Sequence, residues 1–160
     1  MTRFDRVQLN DSPDILNYVS VDNIKMRAAT ESDAAGIIEF FHQFPEVSFC
    51  PWQDLATTQN ILKSHTSVVF LAEAEDEIVG VVMGGLMGSR ATINHLAIDP
   101  MFQKFGIASQ LVSHVKSVLR QKGIHRMFLF VHKNNDAGLQ FWTKQGLNQT
   151  SDEVTLEMDI

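Results

Sequence analysis

Cysteine is almost missing from this chain. Cys50 stands alone, so no disulfide can close within it and no zinc site can be built from thiolates. A lone thiol suits a reducing compartment, and a cytoplasmic protein is the expectation. Long apolar runs are missing too. The longest, near Ile78 to Leu86, falls far short of the roughly 20 residues that a membrane-spanning helix needs. The opening MTRFDRVQLNDSPD lacks the apolar run of a secretory signal, so no membrane partner is expected. Positive charge is in deficit, with 13 Lys and Arg against 19 Asp and Glu and a formal net charge of -6. Nucleic-acid binders carry a basic face, so no nucleic-acid partner is expected. The acidic balance leans instead toward a cationic substrate such as an amine. His42, His65, His114, His125 and His132 show no ligand spacing, so no metal is expected. Ser89 and Ser109 lack the setting of a nucleophilic serine. Repeats and low-complexity segments are absent.

What is present is core. The chain has 160 residues, 44% of them hydrophobic, which supports one domain. Residues 1–23 are polar and aperiodic and read as an N-terminal extension, leaving 24–160 as a single domain. Lys25 to Ala28 predicts a first strand. Thr30 and Asp33 stand at near-capping-box spacing. Ala34, Ile37, Ile38, Phe41 and Phe44 then recur at helical spacing up to Pro45. Asp54 to His65 predicts a second helix with Leu55, Ile61 and Leu62 inward. Asp54 reads first as its N-cap. Val68–Leu71 and Ile78–Met83 form a hairpin around Glu75-Asp76-Glu77. Gly84, Gly85 and Gly88 mark a loop or bulge. Ala91–Ile98 is a strand stopped by Asp99-Pro100. Phe105 to Lys122 is the clearest helix, with Gly123 as its stop. Met127–Val131 reads as a strand buried on both faces. Asn135 to Gln145 is a short helix closed by Gly146. Val154, Leu156, Met158 and Ile160 alternate as a half-buried final strand, an edge candidate that could join two copies as a homodimer. The order implies an α/β protein with a mixed sheet and helices on its faces.

The chemistry concentrates in Leu96-Ala97-Ile98-Asp99-Pro100-Met101-Phe102-Gln103-Lys104-Phe105-Gly106-Ile107-Ala108. A strand ends, a turn follows and a long helix begins. The first amides of a helix have no internal partners and, with the helix dipole, attract anions. Gly106 lets a phosphate approach the backbone, and Lys104 adds positive charge. Ser109, in the first helical turn, could also contact phosphate.

This pattern resembles the GNAT (GCN5-related) N-acetyltransferases, in which an acidic-Pro turn leads into Gln/Arg-x-x-Gly-x-Gly/Ala. Here the pattern reads Gln103, Gly106 and Ala108. A second segment is similar to the family's Asn…Tyr…Gly-Phe motif and reads Asn135, Phe141-Trp142 and Gly146-Leu147. The resemblance spans about residues 24–160. It implies the GNAT-like acyl-CoA N-acyltransferase fold, a central twisted, mostly antiparallel sheet with helices on both faces. It implies acetyl-CoA as co-substrate, held by Gln103, Lys104, Phe105, Gly106, Ile107, Ala108, Ser109 and Asn135. Leu96, Ala97 and Ile98 would present backbone groups to the acetyl and pantetheine arm. The implied reaction is direct attack of a primary amine on the thioester in a ternary complex.

Three positions depart from the family pattern. Trp142 replaces the Tyr taken to protonate the departing thiolate, and an indole N–H donates a hydrogen bond without acting as an acid near neutral pH. Its alternative role is packing. Asn94 stands where a basic Glu is frequent, beside His95, whose neutral ring can accept a proton. Strand neighbours point to opposite faces, so only one of Asn94 and His95 is expected to face a cleft. Gln103 and Ala108 are ordinary variants. Phe44, Glu46, Phe49 and Trp52 lie where the resemblance places an acceptor pocket for a small-molecule or peptide amine, with Cys50 read as a buried, inert thiol. A non-catalytic acyl-CoA-binding or sensing module is the alternative function.

Overall fold

The computed structural model describes residues 23–45, 47, 53–156 and 158. Most of the expected extension, and Glu46, Phe49, Cys50 and Trp52 of the expected acceptor loop, lie outside them. The chain divides after Leu129 into two compact units.

The first unit is built on a five-stranded sheet in sequential order, β1 (Lys25–Ala28), β2 (Ser67–Ala74), β3 (Glu77–Met87), β4 (Arg90–Ile98) and β5 (Met127–Leu129). β1 to β4 pair antiparallel, and β5 joins β4 in parallel. Glu75 and Asp76 turn the β2–β3 hairpin with φ of 50° and 67°, the left-handed pair that suits a two-residue hairpin turn. Three helices complete the unit: α1 (Ala34–His42), α2 (Leu55–Lys63) and α3 (Ile107–Gln121).

The two faces of the sheet are read from adjacent strand residues. Val81 belongs to a buried cluster with Ile37, Phe40, Phe41, Val69, Leu71, Met83 and Ala97, so this face receives α1. A Cβ on the neighbouring Gly80 would meet Ile98, Ala72 and Leu111 of α3, so the opposite face receives α3. The stripe Leu111, Val112, Val115 and Leu119 is fully or almost fully buried, as its spacing predicts.

Local signals explain most boundaries. Asp33 accepts from the Thr30 amide at 2.7 Å, the reach-back half of a capping box. Asp54 caps α2 by accepting from the Thr57 amide at 2.8 Å. The inward face of α2 differs from expectation. Leu55 is 47% exposed, while Thr58 is fully buried, because Thr58 shares its helix face with Ile61 and Leu62.

Asp33 also anchors β1. Arg27 donates to both its oxygens at 2.8 Å and to both oxygens of Glu73 at 3.0 and 2.6 Å. Hydrogen bonding to Arg27 is the main cause that lowers the Asp33 pKa from 3.8 to about 2. A depressed carboxyl pKa stabilises the fold above the unfolded value, and that contribution is lost as pH falls from about 3.8 through 2. With Arg27 39% exposed, solvent screening leaves on the order of 1 kcal/mol. Urea midpoints for wild type should therefore fall over this window, and Arg27→Met should flatten that fall.

Two expected strands come out differently. β5 ends at Leu129 rather than Val131 and is half-buried rather than buried on both faces, because no described strand lies beyond it. The expected final strand is absent among the described residues 153–156 and 158. Val154, Leu156 and Met158 are 86%, 89% and 82% exposed. Alternation supplies one apolar face, but a strand also requires a ladder partner.

The second unit carries α4 (Asp136–Lys144), closed by Gly146 at φ 90° as the sequence suggests.

Candidate functional site

β4 runs into a tight turn. The Asp99 carboxylate accepts from the Met101 amide at 2.8 Å, which closes a single 3-10 turn over Pro100–Phe102. Gln103 Nε2 then donates back to the Ile98 carbonyl at 3.0 Å, tying the far side of the turn to the strand end. Two residues next enter left-handed backbone, Lys104 at φ 67° and Gly106 at φ 81°. Lys104 is a non-glycine residue in a region that disfavours L side chains, the kind of outlier that collects at functional sites.

The consequence is a concave run of amides. The first bond of the α3 ladder is from the Gln110 amide to the Gly106 carbonyl at 3.0 Å. The amides of Ile107 and Ala108 therefore precede that ladder and point out of the helix end. Ile107 is only 2% exposed, so its side chain anchors the turn in the core while its backbone faces outward. A Cβ built on Gly106 meets no atom within 4 Å, so the space beside this glycine is open. Lys104 and Ser109 are exposed beside it, and Phe105 and Ala108 are half-buried. Turn amides and a positive helix end together form an anion site.

The strand that feeds this turn is only partly covered. Among the described residues, β5 pairs with Ala91, Thr92 and Ile93 alone, and past Ile93 β4 is paired along β3 only. The Asp99 amide donates to the Val79 carbonyl at 2.9 Å, which sets the phase of the ladder. His95 and Ala97 bond to β3, and the amides of Leu96 and Ile98 turn to the open edge. Of the three residues expected to present backbone, these two do so, while Ala97 faces β3 and packs its methyl in the α1 cluster.

A β-bulge lies at the start of this edge. Met83 pairs with His95 but Gly84 pairs with Ile93, leaving Asn94 as the extra residue. The bulge overturns the expectation that Asn94 and His95 face opposite ways. Thr92 Oγ1 donates to Asn94 Oδ1 at 3.1 Å, and the His95 ring lies 5.3 Å from that of Phe41 on α1. Thr92, Asn94 and His95 thus share the α1 face, because the inserted residue breaks the two-residue alternation. They differ in exposure: Asn94 is exposed, and His95 is 7% exposed. The sequence flagged a bulge through Gly84 but gave no sign of Thr92 or Phe41 as neighbours.

In the second unit, Asn135 caps α4 by accepting from the Gly138 amide at 2.8 Å. Trp142 is half-buried and meets Phe141 edge-on, with ring centroids 4.9 Å apart. Among the described residues, no group of three His, Cys, Asp or Glu could hold a metal ion, and no helix is long and apolar enough to cross a membrane.

The strand end, the turn and α3 together form a concave run of amides at the end of β4. The model of the acetyltransferase (GNAT) family matches residues 34–147, and the chain belongs to this family. It is 36% identical over 107 residues to Acetyltransferase ECA0875 of Pectobacterium atrosepticum, covering 66% of this chain and 75% of that one. Acetyltransferase YE1169 of Yersinia enterocolitica is 32% identical over 107 residues, with the same coverage of 66% and 75%. Among solved structures, the aminoglycoside acetyltransferase meta-AAC0020 from an uncultured soil metagenomic sample superposes with a TM-score of 0.75 at 23% identity, covering 88% of this chain and 99% of that one. AAC(6')-Iy, solved with a CoA-linked bisubstrate analogue, superposes at 0.73 with 15% identity, covering 87% and 100%. The fold is the α/β GNAT fold.

Proposed function

We propose that residues 24–160 act as one acetyl-CoA-dependent N-acetyltransferase domain. The observation that carries this reading is the turn before α3. Left-handed Lys104 and Gly106 open its amides to an anion, and that anion is the pyrophosphate of CoA. Gln103 and Asp99 hold the turn in shape. The pantetheine arm runs along the open edge of β4, with the thioester carbonyl polarised by the Leu96 or Ile98 amide as by an oxyanion donor. A neutral primary amine attacks that carbonyl, the C–S bond breaks, and CoA leaves as the thiolate. Holding both reactants in one site supplies much of the rate. The acceptor is a small cationic amine, a reading supported by the acidic balance of the chain and by solved neighbours named as aminoglycoside acetyltransferases. The reaction takes place in the cytoplasm, in keeping with a single thiol.

Proton handling is assigned to His95, which sits next to the bulge. In this assignment neutral His95 takes the amine proton, so kcat/KM falls on the acid side of the profile as the ring becomes protonated. His95→Ala should remove that acid limb. A limb that persists would assign deprotonation to the amine itself. Trp142, at the family's Tyr position, stabilises the thiolate by its N–H or packs without contact. That departure and Asn94 favour the second reading, a non-catalytic acyl-CoA-binding module. Thiol release from acetyl-CoA with any member of an amine panel would exclude that second reading.

A further inference from the structure

Asn94 is the extra residue of the bulge in β4, where Met83 pairs with His95 and Gly84 with Ile93. A bulge re-aims a side chain that regular alternation would send elsewhere. Here it brings Asn94 onto the α1 face beside His95, whose ring lies 5.3 Å from that of Phe41. An amide side chain neither takes nor gives up a proton near neutral pH, so Asn94 acts at this place by hydrogen bonding alone.

Thr92 sets which end of the amide does so. Its Oγ1 donates to Asn94 Oδ1 at 3.1 Å. A carbonyl oxygen accepts and cannot donate, so this bond holds the oxygen end and directs the two N–H groups of Nδ2 away from Thr92. Among the described residues no acceptor meets Nδ2, and both donors are left for a bound molecule. The arrangement is pre-organised. Thr92 is β-branched and stiff at χ1, so little freedom remains to be lost when a ligand oxygen arrives.

The place of this donor restricts the acceptor. Consecutive Cα atoms are about 3.8 Å apart, and Asn94 and His95 share one face. A molecule with its amine at His95 therefore carries the atoms two or three bonds further on past Asn94. An oxygen there gains a hydrogen bond. A methyl group there displaces water from Nδ2 and leaves the donor unsatisfied, which costs affinity.

We propose that Asn94, oriented by Thr92, is a specificity-determining donor that selects amines carrying a hydroxyl or carbonyl oxygen three bonds from the nitrogen. The inference rests on the acetyl-transfer reading and deepens it by naming the class of acceptor. Asn94 touches the substrate, and Thr92 is a positioning residue.

The test compares thiol release from acetyl-CoA with 2-aminoethanol, glycinamide and n-propylamine. The first two carry a hydroxyl or a carbonyl oxygen where the third carries a methyl group. The quantity read is the ratio of kcat/KM for each oxygen-bearing amine to that for n-propylamine. At one pH the differences in amine basicity are common to all variants and cancel between them. Asn94→Ala should lower the ratio about 5- to 10-fold, the size of one hydrogen bond. Thr92→Val should lower it by a smaller factor, through KM rather than kcat, and Thr92→Ser should restore it. The hydroxyl and carbonyl arms tell which oxygen the site takes. A ratio unchanged in Asn94→Ala would overturn the proposal while leaving acetyl transfer standing. Equal ratios in Thr92→Ser and Thr92→Val would overturn the role of Thr92. Absence of thiol release with every amine would overturn the acetyl-transfer reading and this inference with it.

Discussion

Replacing Gly106 with tryptophan should abolish calorimetrically measurable binding of both acetyl-CoA and free CoA while leaving the sheet folded. The reason is geometric. A Cβ at this position meets no protein atom within 4 Å, so an indole has room to stand over the amides of Ile107 and Ala108. There it occupies the space that a phosphate requires. Backbone strain adds a smaller term, since φ is 81° and the left-handed region costs an L residue about 1–2 kcal/mol. Gly106→Ala isolates that term and should lower stability by about that amount. A loss in affinity of at least about 100-fold for the tryptophan variant corresponds to ~2.7 kcal/mol, more than the strain alone. Wild-type binding in the micromolar range with this loss would locate the donor on the turn. Unchanged affinity in Gly106→Trp would move the donor elsewhere and remove the main support for acetyl transfer.

Gly84→Ala should damage the fold itself. The added Cβ would be driven into the Thr92 carbonyl oxygen, with the Ile93 Cα 3.4 Å away. These are backbone atoms beside the bulge, where Met83 pairs with His95 and Gly84 with Ile93, so neither strand can yield without breaking the ladder. Overpacking of this kind costs about 3 kcal/mol or more, which lowers Tm by about 10 °C in a domain of this size. Gly80→Ala is the informative contrast. Its Cβ would meet the Ile98 Cδ1 at 2.8 Å and the Leu111 Cδ1 at 3.3 Å, flexible side-chain ends that can move, so the loss should be smaller. Equal losses at the two positions, read by thermal melting, would show that the bulge backbone is not rigid.

The turn before α3 was legible in the sequence because its signals are local. Asp99-Pro100, Gly106 and the stripe from Leu111 to Leu119 each act within a few residues of themselves, and the structure places each in its expected element. The exchange of bonds through Gln103 was not legible, since only the folded turn brings its amide to Ile98. Asn94 and His95 show the limit most clearly. Alternation put them on opposite faces, and a bulge set by Gly84 on the neighbouring strand put them on one. Thr58 and Leu55 traded places for a similar reason, as a nine-residue helix with a weak apolar stripe leaves its inward face to be chosen by what it packs against. The last strand failed differently: Val154, Leu156 and Met158 carry the right pattern, but pairing depends on a partner that the pattern cannot name.

The sequential order of the sheet also sets the order in which it can be assembled. β1 to β4 follow one another as neighbours, and the β2–β3 and β3–β4 connections are two-residue turns at 75–76 and 88–89, so β2 to β4 can grow by short-range closure, whereas β1 reaches β2 only across residues 29–66. β5 reaches β4 only after residues 99–126 have formed a crossover, and closing that loop carries a larger entropic cost than closing a two-residue turn. The turn that would hold the acyl donor lies inside this crossover. Its shape is therefore fixed after the β2–β4 meander can form, and small losses of stability in α3 or β5 will loosen the site before they unravel those three strands.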